Sequence, residues 1–314
     1  MKLSREKTMN AGEPQVNVPH ICVCICTYKR PLPLQRLLKE LLQQKTDGLF
    51  TYSVIVADND ADETGKNTVE EFRTSSSFPV QYLVQTERGI APTRNLVLQH
   101  ASGDYYALID DDELPIAEWL LQLFLACNRL QCDGVLGPVL RKFDGVPPAW
   151  LNKSRFGQRT VRATGLNIDI SEARTGNVLL KQSVLEGDIQ PFNPAIRAGS
   201  DSDFFARKFK DGFKFLWCAE AAVYEVIPPE RWTRKYQIQR ALLQGAEERK
   251  KSFFNFRLIL KSLIAIPLYA LLLPFLLLVG QHVFMDYLTR LCEHLARLLS
   301  VFGINPIRGA YLSD

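Results

Sequence analysis

The chain has 314 residues, of which 46% are hydrophobic and 23% charged, with a net charge of +4. That is enough apolar residue to bury a sizeable core and too much chain for one small domain. The charge is mild, no nucleic-acid partner is expected, and seven cysteines without a paired framework argue against a disulfide scaffold and for a reducing compartment.

Residues 1–18 are polar and read as a flexible tail; Lys2, Arg5 and Lys7 are followed by no apolar stretch of the kind a signal peptide carries. Strands and helices then alternate. "ICVCICTY" reads as a strand, "PLQRLLKELLQQ" as an amphipathic helix, "YSVIVADN" as a strand and "NTVEEFRT" as a helix. "VQYLVQT", "APTRNLVLQHA" and "DYYALID" continue the series as strand, helix and strand. Nearly continuous apolar strands joined by helices mark a mostly parallel sheet covered on both faces. Cys22, Cys24 and Cys26 share one face of the first strand, about 7 Å apart, a spacing that suits packing better than chelation. Between 141 and 200 the pattern loosens into loops, with a strand and helix over "TGNVLLKQSVLE" and a helix over "DSDFFARKFKDGF" ending near Gly212.

Ligands of such sheets bind beyond the carboxyl ends of the strands. Three ends are polar here: "CTYKR", "DNDADE" and "DDDE", and they should converge on one crevice. In the last of these, Asp110, Asp111, Asp112 and Glu113 follow a buried strand, and a helix is expected from Pro115. Adjacent carboxylates repel, which raises their proton affinity unless a metal or base neutralises them. A hard divalent cation with oxygen ligands and open positions for phosphate oxygens answers that need. The competing reading is a solvated turn whose acids favour a helix N-terminus. Asp58, Asp60 and Asp62 imitate a calcium loop, but Glu63 stands at the turn glycine and Val69 at the bidentate glutamate. No G-x-G-x-x-G, G-x-x-x-x-G-K, H-E-x-x-H or G-x-S-x-G motif occurs.

"ICVCICTYKRPLPLQRLLKELLQQ", "VIVADND", "ERGIAPTRNLVLQHASGDYYALIDDDE", "TGNVLLKQSVLE" and "GSDSDFFARKFKDGF" together resemble, in order and spacing, the family 2 glycosyltransferases of bacterial, membrane-associated type. The resemblance covers residues 19–245. It implies an α/β GT-A fold, with a nucleotide-binding half over 19–140 and an acceptor half over 141–245. It also implies a nucleotide-diphosphate-sugar donor (a UDP-sugar foremost), Mn²⁺ or Mg²⁺, and inversion at the anomeric carbon. By position, Thr27, Tyr28 and Arg30 would line the nucleotide pocket and Asp58 would bond the base, with Asp60 beside it. Arg94 and Asn95 lead back to the acidic strand. Asp110 and Asp112 bracket the D-x-D motif as metal ligands, with Asp110 or Asp111 near the ribose. Gly176 and Asn177 match the loop near the sugar and diphosphate. The family's Glu-Asp pair is replaced by Ser200-Asp201, so Asp201 takes the place of the general base, with Asp203 as its competitor. As first-turn acids, both also fit a helix N-terminus alone. Arg231, Trp232 and Arg240 would close over the diphosphate or else face a membrane.

From Glu230 to Lys261 nine Lys or Arg face three Glu, and 262–285 holds no charged residue. Residues 246–314 therefore read as membrane-associated helices. The run 262–280 nearly crosses a hydrocarbon core of roughly 30 Å, kinked at Pro267 and Pro274. After it, Phe284, Leu288, Leu291, Leu295, Leu298 and Phe302 form a stripe opposite Asp286, Arg290, Glu293 and Arg297, as in an interfacial helix. A hydrophobic hairpin for oligomer contacts is the alternative. The preceding basic run favours the cytoplasmic face. The expected function is assembly of a cell-surface glycan or lipid-linked acceptor in cell-envelope polysaccharide biosynthesis. A nucleotidyltransferase making nucleotide-sugars is the enzymatic rival; it would want a glycine-rich loop where "CTYKRPLP" has none. A non-catalytic membrane scaffold is the other rival.

Overall fold

The computed structural model describes residues 18–304 and 306, apart from 158, 160, 171, 197–198 and 252–255; the expected tail lies outside them save for Val18. The first half alternates as the periodicity requires: β1 (His20–Thr27), α1 (Pro31–Leu41), β2 (Thr51–Asp58), α2 (Lys66–Ser75), β3 (Val80–Val84), α3 (Ile90–His100) and β4 (Tyr105–Asp110). β5 (Glu113–Pro115), α4 (Trp119–Arg129), β6 (Gly134–Leu136), β7 (Val139–Phe143), α5 (Ala149–Lys153), β8 (Asn177–Lys181), α6 (Ser200–Lys210), β9 (Phe215–Trp217) and β10 (Val223–Ile227) complete the globular part.

The large sheet runs β3-β2-β1-β4-β8-β6-β9. β1 pairs in parallel with β2 and β4, and β2 with β3, while β8 is antiparallel to both β4 and β6. Alternation along β1 feeds two cores. Ile21, Val23 and Ile25 pack with Leu34, Leu37 and Trp119 on one side. Cys22 and Cys24 pack with Ala91, Leu98, Phe204 and Phe205 on the other. The cysteines are buried and unpaired, as small hydrophobes are.

Two local expectations are corrected. No helix begins at Pro115: Glu113–Pro115 pairs antiparallel with β10 in a second sheet, β5-β10-β7, and α4 starts at Trp119. Glu113 thus leaves the acidic turn for a strand. After β8 the chain makes only a 3₁₀ turn, Gln182–Val184, and reaches Gly187 at φ +81° instead of building a helix.

Three long helices follow: α7 (Arg234–Lys251), α8 (Phe256–Val279) and α9 (Gln281–Val301). The expected border at 245 falls inside α7. There a Cβ on Gly245 would lie 2.1 Å from the Glu293 carbonyl oxygen, so the α7 and α9 backbones touch. α8 stays helical through Pro267 and Pro274. Over Arg257–Val279 its mean hydropathy is 2.5 and only 11% is buried, with Leu271, Phe275 and Leu278 fully outward. At about 1.5 Å per residue it is long enough to cross a bilayer core. α9 departs from the interfacial helix expected. Its acids turn inward: Asp286 accepts from the Arg155 backbone N–H at 3.1 Å, and Glu293 accepts from the Arg155 guanidinium at 2.6 Å. Arg297 is buried, donating to the Ser262 hydroxyl at 3.0 Å. Three of the four charged residues expected to face water are thus engaged with protein.

Candidate functional site

Parallel register brings the three polar strand ends together. Thr27 on β1 stands opposite Asp58 on β2, and Cys26 stands opposite Asp110 on β4. Around that edge the acids divide into those that bind the protein and those that stay open.

Asp111 turns inward. Its carboxylate accepts from the Thr27 hydroxyl at 2.7 Å and from Arg30 Nη1 at 2.9 Å. Burial pushes its pKa up to about 7 against the pull of Arg30. The same Arg30 nitrogen reaches Asp112 Oδ2 at 3.1 Å, and Arg231 Nη1 stands 3.9 Å from that oxygen. Asp110 lies at the bottom of the cleft with 47% of its side-chain surface open, and Arg94 Nη2 is 3.7 Å away. Protein surrounds it closely enough that desolvation, reinforced by Asp112, Asp201 and Glu225, raises it to about 6 despite Arg94. Glu113 sits behind, accepting the Asp110 N–H at 3.2 Å, and burial holds its pKa well above the carboxylate range. Gly176 is where it is because this packing leaves no room: a Cβ would meet Glu113 Oε1 at 2.5 Å and Asp110 Oδ2 at 3.1 Å.

Asp201 lies in the first turn of α6, its side chain 17% exposed, with Arg174 Nε at 3.9 Å. Its charge is one of those that raise the Asp110 pKa, so the two carboxylates are near each other. Asp203 is spent on Arg207, four residues on, at 3.0 Å. Ser200, in the place of the family's glutamate, is fully buried and its hydroxyl has no partner.

Several residues expected at the donor serve the fold. Asp58 is fully buried, accepting from the Asp60 and Gly65 N–H groups at 3.0 and 2.8 Å and from the Tyr82 hydroxyl at 2.8 Å, which leaves little for a nucleobase. Asp60 is the freer acid. Its Oδ2 has no partner and Lys29 Nζ stands 3.8 Å from Oδ1. Asn95 clamps the backbone of Phe192 by both ends of its amide, at 2.7 and 2.9 Å. Asn177 accepts from the Trp119 indole at 2.8 Å and donates to the carbonyls of Ala221 and Pro138 at 2.7 and 3.2 Å. Trp232 donates to the Ile227 carbonyl and packs edge-on against Phe143. Tyr28 is exposed at the rim. Glu225, which no motif announced, sits 3.6 Å from Arg231 and 3.9 Å from Arg159. Its signal in the sequence was an acid inside the apolar strand "VYEVI".

Among the described residues no group of three or more His, Cys, Asp or Glu is arranged to hold a metal by itself. Asp110, open to solvent, and Asp112, two positions on and held by Arg30, fit a cation that takes its remaining oxygens from a ligand.

The glycosyl transferase family 2 model matches residues 22–187. The succinoglycan biosynthesis protein ExoM of Rhizobium meliloti is 30% identical over 229 residues, 72% of this chain and 73% of that protein. Among solved structures, S. aureus TarS 1-349 aligns with a TM-score of 0.51 and 18% identity over 71% of this chain and 64% of that one. Its UDP complex aligns at 0.52 and 14% over 94% and 95%. The mannosyltransferase PcManGT of Pyrobaculum calidifontis, in complex with GDP-Man and Mn²⁺, aligns at 0.53 and 18% over 93% and 77%. These structures share the GT-A fold with this chain.

Proposed function

The chain belongs to glycosyl transferase family 2 and is a glycosyltransferase of GT-A fold, and on that premise we propose that it is an inverting, metal-dependent enzyme. It moves a sugar from a nucleotide diphosphate to a glycan or lipid-linked acceptor at a membrane. The observation that carries this is the meeting of an open carboxylate, Asp110, with Asp112 and Asp201, both close enough to raise its pKa.

Asp110 and Asp112 would hold Mn²⁺ or Mg²⁺, whose charge would offset that of the departing diphosphate. Arg30 holds Asp112 in place through one nitrogen shared with Asp111. Arg231 and Arg94, on either side of the acids, supply fixed positive charge where negative charge builds up. Asp60, with an unpartnered oxygen at the end of β2, takes the nucleoside in place of Asp58. In the chemical step the acceptor oxygen bonds to the anomeric carbon while the bond to the diphosphate breaks on the opposite face. The acceptor proton passes to Asp201, the one cleft-facing acid of α6. The solved relatives bind UDP, UDP-GlcNAc and GDP-Man, and a UDP-sugar remains the first donor to try. ExoM, named for succinoglycan biosynthesis, favours a glycan as the product class. Support for membrane attachment comes from the outward apolar face of α8, and for the cytoplasmic side from the basic residues just before it.

The test is a thermal-shift panel of nucleoside diphosphates with and without Mn²⁺. One of them should raise the melting temperature only with metal, and Asp112→Ala should remove that rise while the metal-free melting curve stays cooperative. Metal-independent stabilisation of both proteins would refute the assignment.

A further inference from the structure

A cavity of about 320 Å³ opens where the loop after β7 meets α7 and α9, outside the cleft just described. Its lining includes Arg141, Arg159, Arg240, Phe156 and Gln244. The acids on its far wall, Asp286 and Glu293, are already held by Arg155. The other three arginines are not balanced. Arg141 Nε is buried without a hydrogen-bond partner, and the Arg141 guanidinium stacks 3.7 Å from the Phe156 ring centre. Arg240 approaches the same ring at 5.3 Å. Among the described residues Glu225 is the acid that pairs with the cluster, 3.9 Å from Arg159, and it is shared with Arg231. Burial, with Arg159 and Arg240 close by, depresses the Arg141 pKa against the pull of Glu225, as expected where three like charges share one acid.

Such crowding costs stability unless something negative enters. Guanidinium groups have the geometry for phosphate oxygens. The place is informative too. Asp112, Arg231, Glu225 and Arg159 form one chain of charge contacts from the metal-binding edge to this cavity. Part of the cavity's outer wall is α9, the helix against which the apolar α8 packs. We infer that the cavity is a phosphate subsite for the acceptor. It takes the phosphate or diphosphate that carries the growing saccharide and hands the sugar end to the cleft along the Arg159–Glu225–Arg231 line. This rests on the transferase reading above and adds the chemical class of the acceptor: a saccharide on an anionic phosphate or diphosphate.

The experiment uses the full chain in detergent or on vesicles, comparing wild type with Arg141→Gln/Arg240→Gln. Three probes separate the sources of the anion. These are phosphatidylcholine vesicles doped with a polyprenyl diphosphate, the same vesicles with phosphatidylglycerol at equal charge, and inorganic diphosphate in solution. Wild type should prefer the diphosphate-doped vesicles to the phosphatidylglycerol ones at least about tenfold. Inorganic diphosphate should compete if the headgroup alone is recognised. The double variant should lose the preference, and Arg141→Lys, which keeps the charge, should recover part of it. Nucleoside-diphosphate binding with Mn²⁺ should survive in the double variant, because Arg240, expected over the donor diphosphate, lines this cavity instead; this keeps a failed subsite distinct from a failed transferase assignment and shows that the variant is folded. An unchanged preference in the double variant, or none in wild type, overturns the subsite.

Discussion

The two sides of this molecule treat their polar groups in opposite ways. On the donor side, Asp58, Asp111, Asn95 and Asn177 are buried and fully engaged with the protein itself. On the side of the second sheet and the helical hairpin, Arg141 and Arg231 each keep a buried nitrogen without a partner, and Glu225 is shared between two arginines. A floor of satisfied groups holds the open Asp110, and Asp60 with its unpartnered oxygen, at fixed positions, which is what a transferring site requires. The unsatisfied arginines, by contrast, mark a surface that is incomplete until a ligand arrives. Buried polar groups are therefore informative in proportion to what they lack.

The sharpest way to break this contrast is at the chemistry. Asp201→Asn should lower transfer by about 10²- to 10⁴-fold while leaving donor and metal binding intact, because a general base acts only in the chemical step. Asp203→Asn should be milder, since its carboxylate is committed to Arg207. Steady-state rates beside donor titrations decide it, and the reverse ranking would move the base to Asp203.

A second effect is all-or-none in practice. Replacing Leu271 and Leu278 on the outward face of α8 by Lys should shift the protein from the membrane pellet to the supernatant. If the variant still pellets after flotation on lipid, α8 is not the attachment.

Donor-side residues that serve the fold should act on stability alone. Asn177→Ala strips the Trp119 indole and two carbonyls of partners and should cost about 1–3 kcal/mol in denaturant unfolding. Donor affinity measured well below the unfolding range should be unchanged. A variant of native stability that binds donor poorly would return Asn177 to the site.

The smallest effect is electrostatic. Burial lifts Asp110 and Asp111 from an ordinary 3.8 to about 6 and about 7. The metal-free folded chain thus holds more protons than the unfolded one between about pH 4 and 7. These two groups therefore make stability fall as pH rises through that window. Melting temperatures between pH 5 and 7.5 should decline, and less steeply in Asp111→Asn. An identical slope in the variant would remove Asp111 from the account.

The strand ends were legible because a period of two and a polar terminus are local signals, and parallel register then brings Thr27, Asp58 and Asp110 together. What those residues do there was not. Whether Asp58 meets a nucleobase or the Gly65 N–H depends on how the following loop folds back. Asn95 finds its partner 97 positions away and Asn177 one of its partners 58 away, distances over which a single sequence carries no pattern. The side of the second sheet was harder still. Glu225 looks like a defect in an apolar strand until its neighbours from two loops are in place, and the charged residues of α9 resemble a wetted face until Arg155 is seen to occupy them. Periodicity reports that a face is polar, not whether water or protein lies against it.

The contact of Gly245 with the Glu293 backbone, together with the Arg155 tether, leaves no slack between hairpin and catalytic body. With α8 seated in lipid, the cleft would ride at a set height above the bilayer instead of swinging on a leash. A saccharide whose reactive hydroxyl stood at that height would be reached and one held much nearer or farther would not, so reach would be set by geometry before any sugar is recognised. Gly245→Ala, by forcing the two helices apart, would reset that gauge.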